Sequence, residues 1–138
     1  MKILIAFIVI LFTSVTFACD NFSGSYVTSD LAEYSIDQKD CASMNMTDAS
    51  GTKTITFNSV EQIIYDLELE EGRLQVFITS KLNGNQWVYS EKAVMTFTDG
   101  RVETDKSWSE VFLNTERDLV TVKHKSDGST DTYIDKRE

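Results

Sequence analysis

The feature that most constrains this chain is a regular series of short β-type runs divided by turn residues, in a sequence without proline. From residue 19 onward, glycines and clusters of Asn, Asp and Ser separate runs rich in Val, Ile, Thr and aromatic residues. No helical period lasts for three turns. The pattern predicts an all-β domain with tight turns. The predicted strands are residues 22–28, 33–39, 52–58, 62–70, 73–82, 86–98, 101–104, 107–113, 119–126 and 129–135.

The first 18 residues have the layout of a cleavable signal peptide. Lys2 precedes an apolar stretch at residues 3–12, and the small residue Ala18 precedes the expected cleavage point. The apolar stretch is shorter than the about 20 residues that span a bilayer. We therefore predict a signal peptide at residues 1–18 and one secreted or periplasmic domain at residues 19–138, without a transmembrane segment.

Both cysteines, Cys19 and Cys41, lie in the predicted mature domain. An even number of cysteines in an exported protein predicts a disulfide. A hairpin tip at residues 29–31 would make Cys19 and Cys41 cross-strand neighbours, provided that their Cα atoms lie within about 7 Å of each other. The alternative is a lipid anchor on Cys19, although Thr16 stands where a lipoprotein signal carries a branched aliphatic residue.

The predicted mature domain is acidic, with 12 basic and 22 acidic residues and a formal charge of −10, because Lys2 leaves with the signal peptide. This charge opposes binding to nucleic acid and to anionic membranes. It favours solubility and also suits a cationic protein partner. Asp66, Glu68 and Glu70 alternate with apolar residues and are expected to form a carboxylate-rich outer face.

The turn dipeptides also predict strand registers, because a two-residue loop fixes which residues face one another. Tips at Glu71-Gly72 and Asn83-Gly84 place the apolar residues of three strands on one face. Tips at Asp99-Gly100 and Asp127-Gly128 predict two further hairpins. The resulting partners are Ile63 and Ser80, Tyr65 and Ile78, Leu67 and Val76, Ile78 and Tyr89, Val76 and Glu91, Met95 and Thr104, and His124 and Asp131.

About ten antiparallel strands in 120 residues must hide two sheet edges and one apolar face. Closure of an up-and-down meander into a small barrel of about 8–10 strands does both. A two-sheet β-sandwich is the alternative architecture.

The segment Phe22-Ser23-Gly24-Ser25-Tyr26 resembles the Gly-x-Trp opening strand of the calycins, the superfamily of lipocalins, fatty-acid-binding proteins and avidins. Cys19 ahead of it adds a likeness to avidin. Tyr26 replaces the signature tryptophan, and neither the second lipocalin motif nor the avidin tryptophan series is present. The resemblance implies a cup-shaped barrel that holds a small apolar ligand.

Glu91 is the one charged residue in the alternating series Trp87, Tyr89, Glu91, Ala93, Met95 and Phe97, and it is therefore expected to point inward. Inside an apolar cavity of about 300 Å³ or more, its carboxylate would orient an amine or hydroxyl group of a ligand. The alternatives are a structural pair with Lys106, or a bulge that turns Glu91 into water. The predicted ligand-binding residues are Tyr65, Leu67, Val76, Ile78, Trp87, Tyr89, Glu91 and Met95.

Two further candidates have simple structural interpretations. His124 is the sole histidine and is expected to form an exposed pair with Asp131. Met44 and Met46 could supply soft copper ligands, but strand alternation explains their spacing better. The sequence contains no nucleophile motif, phosphate loop or zinc spacing, so we expect neither an enzyme nor a cofactor or metal.

Two functions are therefore expected from different classes. The first is a small barrel that binds an apolar or amphipathic ligand in its interior. The second is an acidic protein-binding or inhibitor module that acts through its outer face or loops, with its interior filled by its own side chains.

Overall fold

The computed structural model describes residues 19–138 as ten antiparallel β-strands, and the predicted signal peptide lies outside the described residues. The sheet order β4-β3-β2-β1-β10-β9-β8-β7-β6-β5 wraps round until β4 and β5 form its two free edges. The all-β fold and the up-and-down meander are confirmed, and the barrel is nearly closed. No helix among the described residues is long and apolar enough to cross a membrane. The strands are β1 (Gly24–Val27), β2 (Glu33–Asp37), β3 (Ser43–Asp48), β4 (Gly51–Thr56), β5 (Glu61–Leu69), β6 (Gly72–Asn83), β7 (Gln86–Phe97), β8 (Val102–Leu113), β9 (Leu119–Lys125) and β10 (Thr130–Arg137).

Two strands differ from their prediction because polar residues weaken the sequence pattern. The prediction missed β3, which contains Ser43, Asn45 and Asp48 but still turns Met44 and Met46 toward the interior beside Ile36 and Ile55. It also divided β8 at Asp105 and Lys106, which pair with β7 without a break. In both cases the pairing with neighbouring strands, and not the local sequence preference, determines where the strand runs.

The core fills one end of the barrel. Phe22 and Tyr26 are fully buried, and the Tyr26 hydroxyl donates a 2.7 Å hydrogen bond to the Phe22 carbonyl. Tyr26 is thus a core residue. The buried apolar cluster consists of Phe22, Tyr26, Ile36, Met44, Ile55, Ile78, Trp87, Val111 and Leu119.

A disulfide between Cys19 and Cys41 holds the start of the described chain against this end, with a Cα separation of 5.9 Å. The predicted disulfide is thus confirmed. The β1–β2 register pairs Tyr26 with Tyr34, which gives the predicted symmetry of this hairpin about residue 30. Because its sulfur is in this bond, Cys19 has no free thiol for a lipid anchor. Gln38 adds a second link, since its side-chain oxygen accepts from the Phe22 N–H at 3.0 Å.

The hairpin tips differ from the predictions in two ways. The first two tips are Glu70-Glu71 and Gly84-Asn85, which shifts each register by two residues and leaves the side chains on their predicted faces from Tyr65 through β6 and β7. Gly72 belongs to β6, where it pairs with Leu69 and Phe97. A side chain does not fit there, because a Cβ atom would lie 2.0 Å from the Thr96 carbonyl oxygen of β7.

The other two hairpins have three-residue loops, with Gly100 and Gly128 at positive φ as the bulge residue. Their registers shift by one residue. Met95 therefore pairs with Glu103, not Thr104, and His124 pairs with Thr130, not Asp131.

A bulge in β5 corrects one further prediction. The register with β6 shifts between Ile63 and Tyr65, so Ile63 pairs with Phe77 on the outer face and is 50% exposed. Ile64 packs against the core in its place. The sequence pattern has no signal for a bulge inside an unbroken apolar run.

Candidate functional site

An interior cavity of about 120 Å³ lies beside the core, beneath the opening between β4 and β5. Five strands, β3 to β7, contribute its walls. The tilted rings of Trp87 and Tyr89 lie against each other at a centroid distance of 4.8 Å, so the β7 wall is aromatic. The lining residues are Met46, Lys53, Ile55, Ile64, Tyr65, Ile78, Trp87, Tyr89 and Glu91.

Side chains, and not a strand ladder, bridge the opening above this cavity. The Gln62 side-chain oxygen accepts a 2.9 Å hydrogen bond from the Thr56 N–H. The Tyr65 hydroxyl donates to Asp48 Oδ2 at 3.1 Å, and Lys53 Nζ lies 4.2 Å from the centroid of the Tyr65 ring. The opening is therefore the part of the wall that can separate without breaking sheet pairing.

Glu91 points inward as predicted, and its partner is Lys123 of β9. The Lys123 Nζ to Glu91 Oε1 distance is 3.1 Å, and both side chains are a little over one-quarter exposed. Burial alone would lower the pKa of Lys123, but Glu91 makes the net shift upward, so Lys123 remains protonated. The predicted pairing with Lys106 is wrong, because Lys106 pairs with Lys92 on the outer face. The Glu91 oxygen that accepts the hydrogen bond from Lys123 is Oε1.

Of the eight predicted site residues, five line the cavity: Tyr65, Ile78, Trp87, Tyr89 and Glu91. Leu67, Val76 and Met95 share their face of the sheet but lie farther along the strands, outside the cavity. Sequence reasoning missed Met46, Lys53, Ile55 and Ile64. Met46 lies in β3, and Lys53 and Ile55 lie in β4; no predicted hairpin connected these strands to β5–β7. The bulge in β5 turns Ile64 inward, whereas simple alternation places it on the outer face.

The outer face holds a broader depression of about 530 Å³. In it, the His124 and Trp108 rings stack at 3.8 Å, and His124 Nε2 lies 3.2 Å from Glu110 Oε2. Asp131, the predicted partner of His124, instead binds Lys125 at 2.6 Å. The depression is open to solvent, and two of its lysines, Lys92 and Lys125, are paired with Glu61 at 2.9 Å and with Asp131 at 2.6 Å.

Asp48 in the bridge gives a prediction about pH. Hydrogen bonds, first from the Ser50 side chain, lower the pKa of Asp48 to about 2 from its ordinary value of 3.8. Its charge therefore contributes stability above pH 3.8, and this contribution is lost as the pH falls from 3.8 toward 2. We expect Asp48→Asn to make the urea midpoint less dependent on pH across this window. Asp37→Asn, at an exposed carboxyl, is the control; equal slopes for the two variants would contradict the prediction.

Within residues 19–138, no group of three or more His, Cys, Asp or Glu side chains is placed to hold a metal ion. Met44 is buried in the core and Met46 lines the cavity. Comparisons of the chain with family models, with curated proteins and with solved structures find no match.

Proposed function

We propose that this protein binds a small amphipathic molecule in the interior cavity and acts as a binding protein outside the cytoplasm. The observation that supports the proposal is a largely apolar and aromatic cavity whose charged lining residues are Glu91 and Lys53, beneath an opening closed by side chains. Lys53 is paired with Asp48 at 3.3 Å. The disulfide is typical of proteins that mature outside the cytoplasm.

The cavity volume limits the size of the ligand. At about 120 Å³ the cavity is smaller than the expected 300 Å³, because Ile55, Ile64 and Met46 occupy part of the barrel. Apolar protein cavities of about 150 Å³ hold benzene. We therefore propose a ligand in which one ring or a short branched chain of about six non-hydrogen atoms fills the cavity and a short polar substituent extends toward Glu91.

The walls limit the chemistry of the ligand. Trp87 and Tyr89 offer ring faces, and an ammonium group against such faces is attracted by their π-electrons. Glu91 lies on the same wall and accepts hydrogen bonds from an amine or hydroxyl group. A ligand with an apolar body and one amine or hydroxyl would satisfy both parts of the cavity.

Benzylamine and toluene are suitable probes, because they share a ring and differ in the group that would reach Glu91. We expect both to shift the NMR signals of the Trp87 indole N–H and the Ile78 methyl groups. Benzylamine should bind at least about tenfold more tightly, as a charge-assisted hydrogen bond contributes about 1.5–3 kcal/mol.

Two variants distinguish the effect of the cavity volume on ligand binding from the effect of the Glu91 charge. Ile64→Trp should fill the cavity and abolish binding of both probes, whereas Glu91→Gln should abolish only the preference for benzylamine. Glu110→Gln makes the same chemical change on the outer face and should retain the preference. Unchanged Trp87 and Ile78 signals with both probes, or full binding by Ile64→Trp, would overturn the proposal.

A further inference from the structure

Two hairpins of the sheet project beyond the barrel. Strands β6, β7 and β8 each contain 12 residues, whereas β1 to β4 contain 4–6. Strand β9 pairs with β8 only from Ser107 onward, so residues 102–106 have β7 as their one partner in the described sheet. We call residues 65–76 and 93–106 the projecting hairpins.

The inner face of the projecting hairpins is apolar, partly buried on β6 and β7 and exposed on β5. Leu67 and Leu69 of β5 are 43% and 47% exposed, although they lie on the face that forms the core elsewhere in the sheet. None of the apolar residues of this face belongs to the core cluster or to the partly buried side chains packed against it. The face consists of Leu67, Leu69, Leu74, Val76, Ala93, Met95 and Phe97.

The two free edges of this projecting sheet differ in chemistry. On the β8 edge, Glu103 and Asp105 lie on the inner face, and inward charges of this kind protect an edge from strand addition. The β5 edge has apolar Leu67 and Leu69 on its inner face, and its backbone is paired on one side only, with β6. The β5 edge is therefore open to an added strand and the β8 edge is not.

The outer face of the same β5 segment is acidic. Residues 66–73 contain Asp66, Glu68, Glu70 and Glu71 against one arginine, Arg73. Arg73 Nη2 lies 2.6 Å from Asp66, and its Nε lies 3.6 Å from Glu68, whose side chain is 80% exposed. Three negative charges remain after this arginine is counted, in a chain that is acidic overall.

We propose that residues 66–69 of β5 bind an extended segment of another protein, in which apolar and basic residues alternate. The segment adds as a further strand to the β5 edge, and its backbone pairs with the free N–H and C=O groups. Its apolar side chains cover Leu67 and Leu69, and its basic side chains lie beside Asp66 and Glu68 on the outer face. Binding at this edge does not require an occupied cavity.

A second copy of this chain fits the edge poorly. Antiparallel pairing of β5 with itself would bring the carboxylates of Asp66 and Glu68 in one copy beside those in the other. Like charges on neighbouring strands are destabilising. Charge complementarity therefore favours a basic partner.

The test uses a capped peptide with strictly alternating lysine and valine, and a block peptide of the same composition as its control. We expect the alternating peptide to shift the backbone amide signals of residues 66–69 and to bind less tightly as salt is raised. Leu67→Lys adds a charge to the inner face of the edge and should weaken binding at least about tenfold. Val102→Lys adds the same charge at an exposed residue of the β8 edge and should bind like the parent protein.

Equal binding of the block peptide, or an equal loss in both lysine variants, would overturn the proposal in favour of non-specific charge attraction. Peptide-induced shifts confined to the outer-face depression would also overturn it. A dimer in sedimentation of the chain alone that dissociates in Leu67→Lys but not in Val102→Lys would replace the basic partner with a second copy.

Discussion

Replacing Trp87 with alanine is expected to lower the free energy of unfolding by about 3–5 kcal/mol. Trp87 is 4% exposed, packs against Phe57 and Tyr89, and donates a 3.3 Å hydrogen bond from Nε1 to the buried Ser80 hydroxyl. The substitution leaves a cavity in the core and removes the donor to Ser80. Such a loss is a large fraction of the 5–15 kcal/mol that stabilises a typical domain.

The chain contains a matched control for this change. Trp108, the other tryptophan, is 43% exposed and stacks on His124 at the outer face. Trp108→Ala should cost no more than about 1 kcal/mol, the usual range for a surface aromatic contact. Urea denaturation followed by far-UV circular dichroism measures both variants. If Trp87→Ala fails to fold, Trp87→Phe, which keeps a ring, should lose an amount of unfolding free energy between those expected for Trp87→Ala and Trp108→Ala. Equal losses at positions 87 and 108 would contradict the assignment of Trp87 to the core.

The inward face of β5 to β7 could be predicted because the side-chain period of a strand is two residues. The hairpin tips before Gly72 and after Asn83 differ from the prediction by one residue, which shifts each register by two and leaves the inward residues of these strands on the correct face. These residues include Tyr65, Trp87, Tyr89 and Glu91. Three-residue loops shift the register by one, however, and this changed the predicted partner of His124. An Asp-Gly dipeptide is compatible with both loop lengths, and the sequence alone does not choose between them.

The sequence predicted which kinds of side chain line one wall of the interior cavity, but not the volume of the cavity or the residues of its other walls. Alternation placed an aromatic wall and a carboxylate on one face, which the structure brings together around Tyr89 and Glu91. The partner of Glu91 comes from β9, and the far wall comes from β3 and β4. These strands are distant along the chain, so curvature of the sheet determines which residues meet across the interior. The same curvature leaves Leu67 and Met95 outside the cavity.

Removing the disulfide is expected to lower the free energy of unfolding by about 3 kcal/mol in the variant Cys19→Ala/Cys41→Ala. The bridge closes a loop across a sequence separation of 22 residues, and this restricts the unfolded chain. The fully buried Phe22 beside it is held independently, because its N–H donates to Gln38 and its carbonyl accepts from Tyr26. We therefore expect most of the loss to arise in the unfolded state.

Urea denaturation of the double variant and of the oxidised parent measures the loss, and NMR spectra of the folded states locate its origin. Unchanged Phe22 and Tyr26 signals with a loss of about 3 kcal/mol would support an effect on the unfolded chain. The same loss with large shifts of these two signals would show instead that the bridge holds Phe22 in the closed end of the barrel. A loss below about 1 kcal/mol would contradict the prediction, and Gln38 would then be the main link between the first described residues and β2.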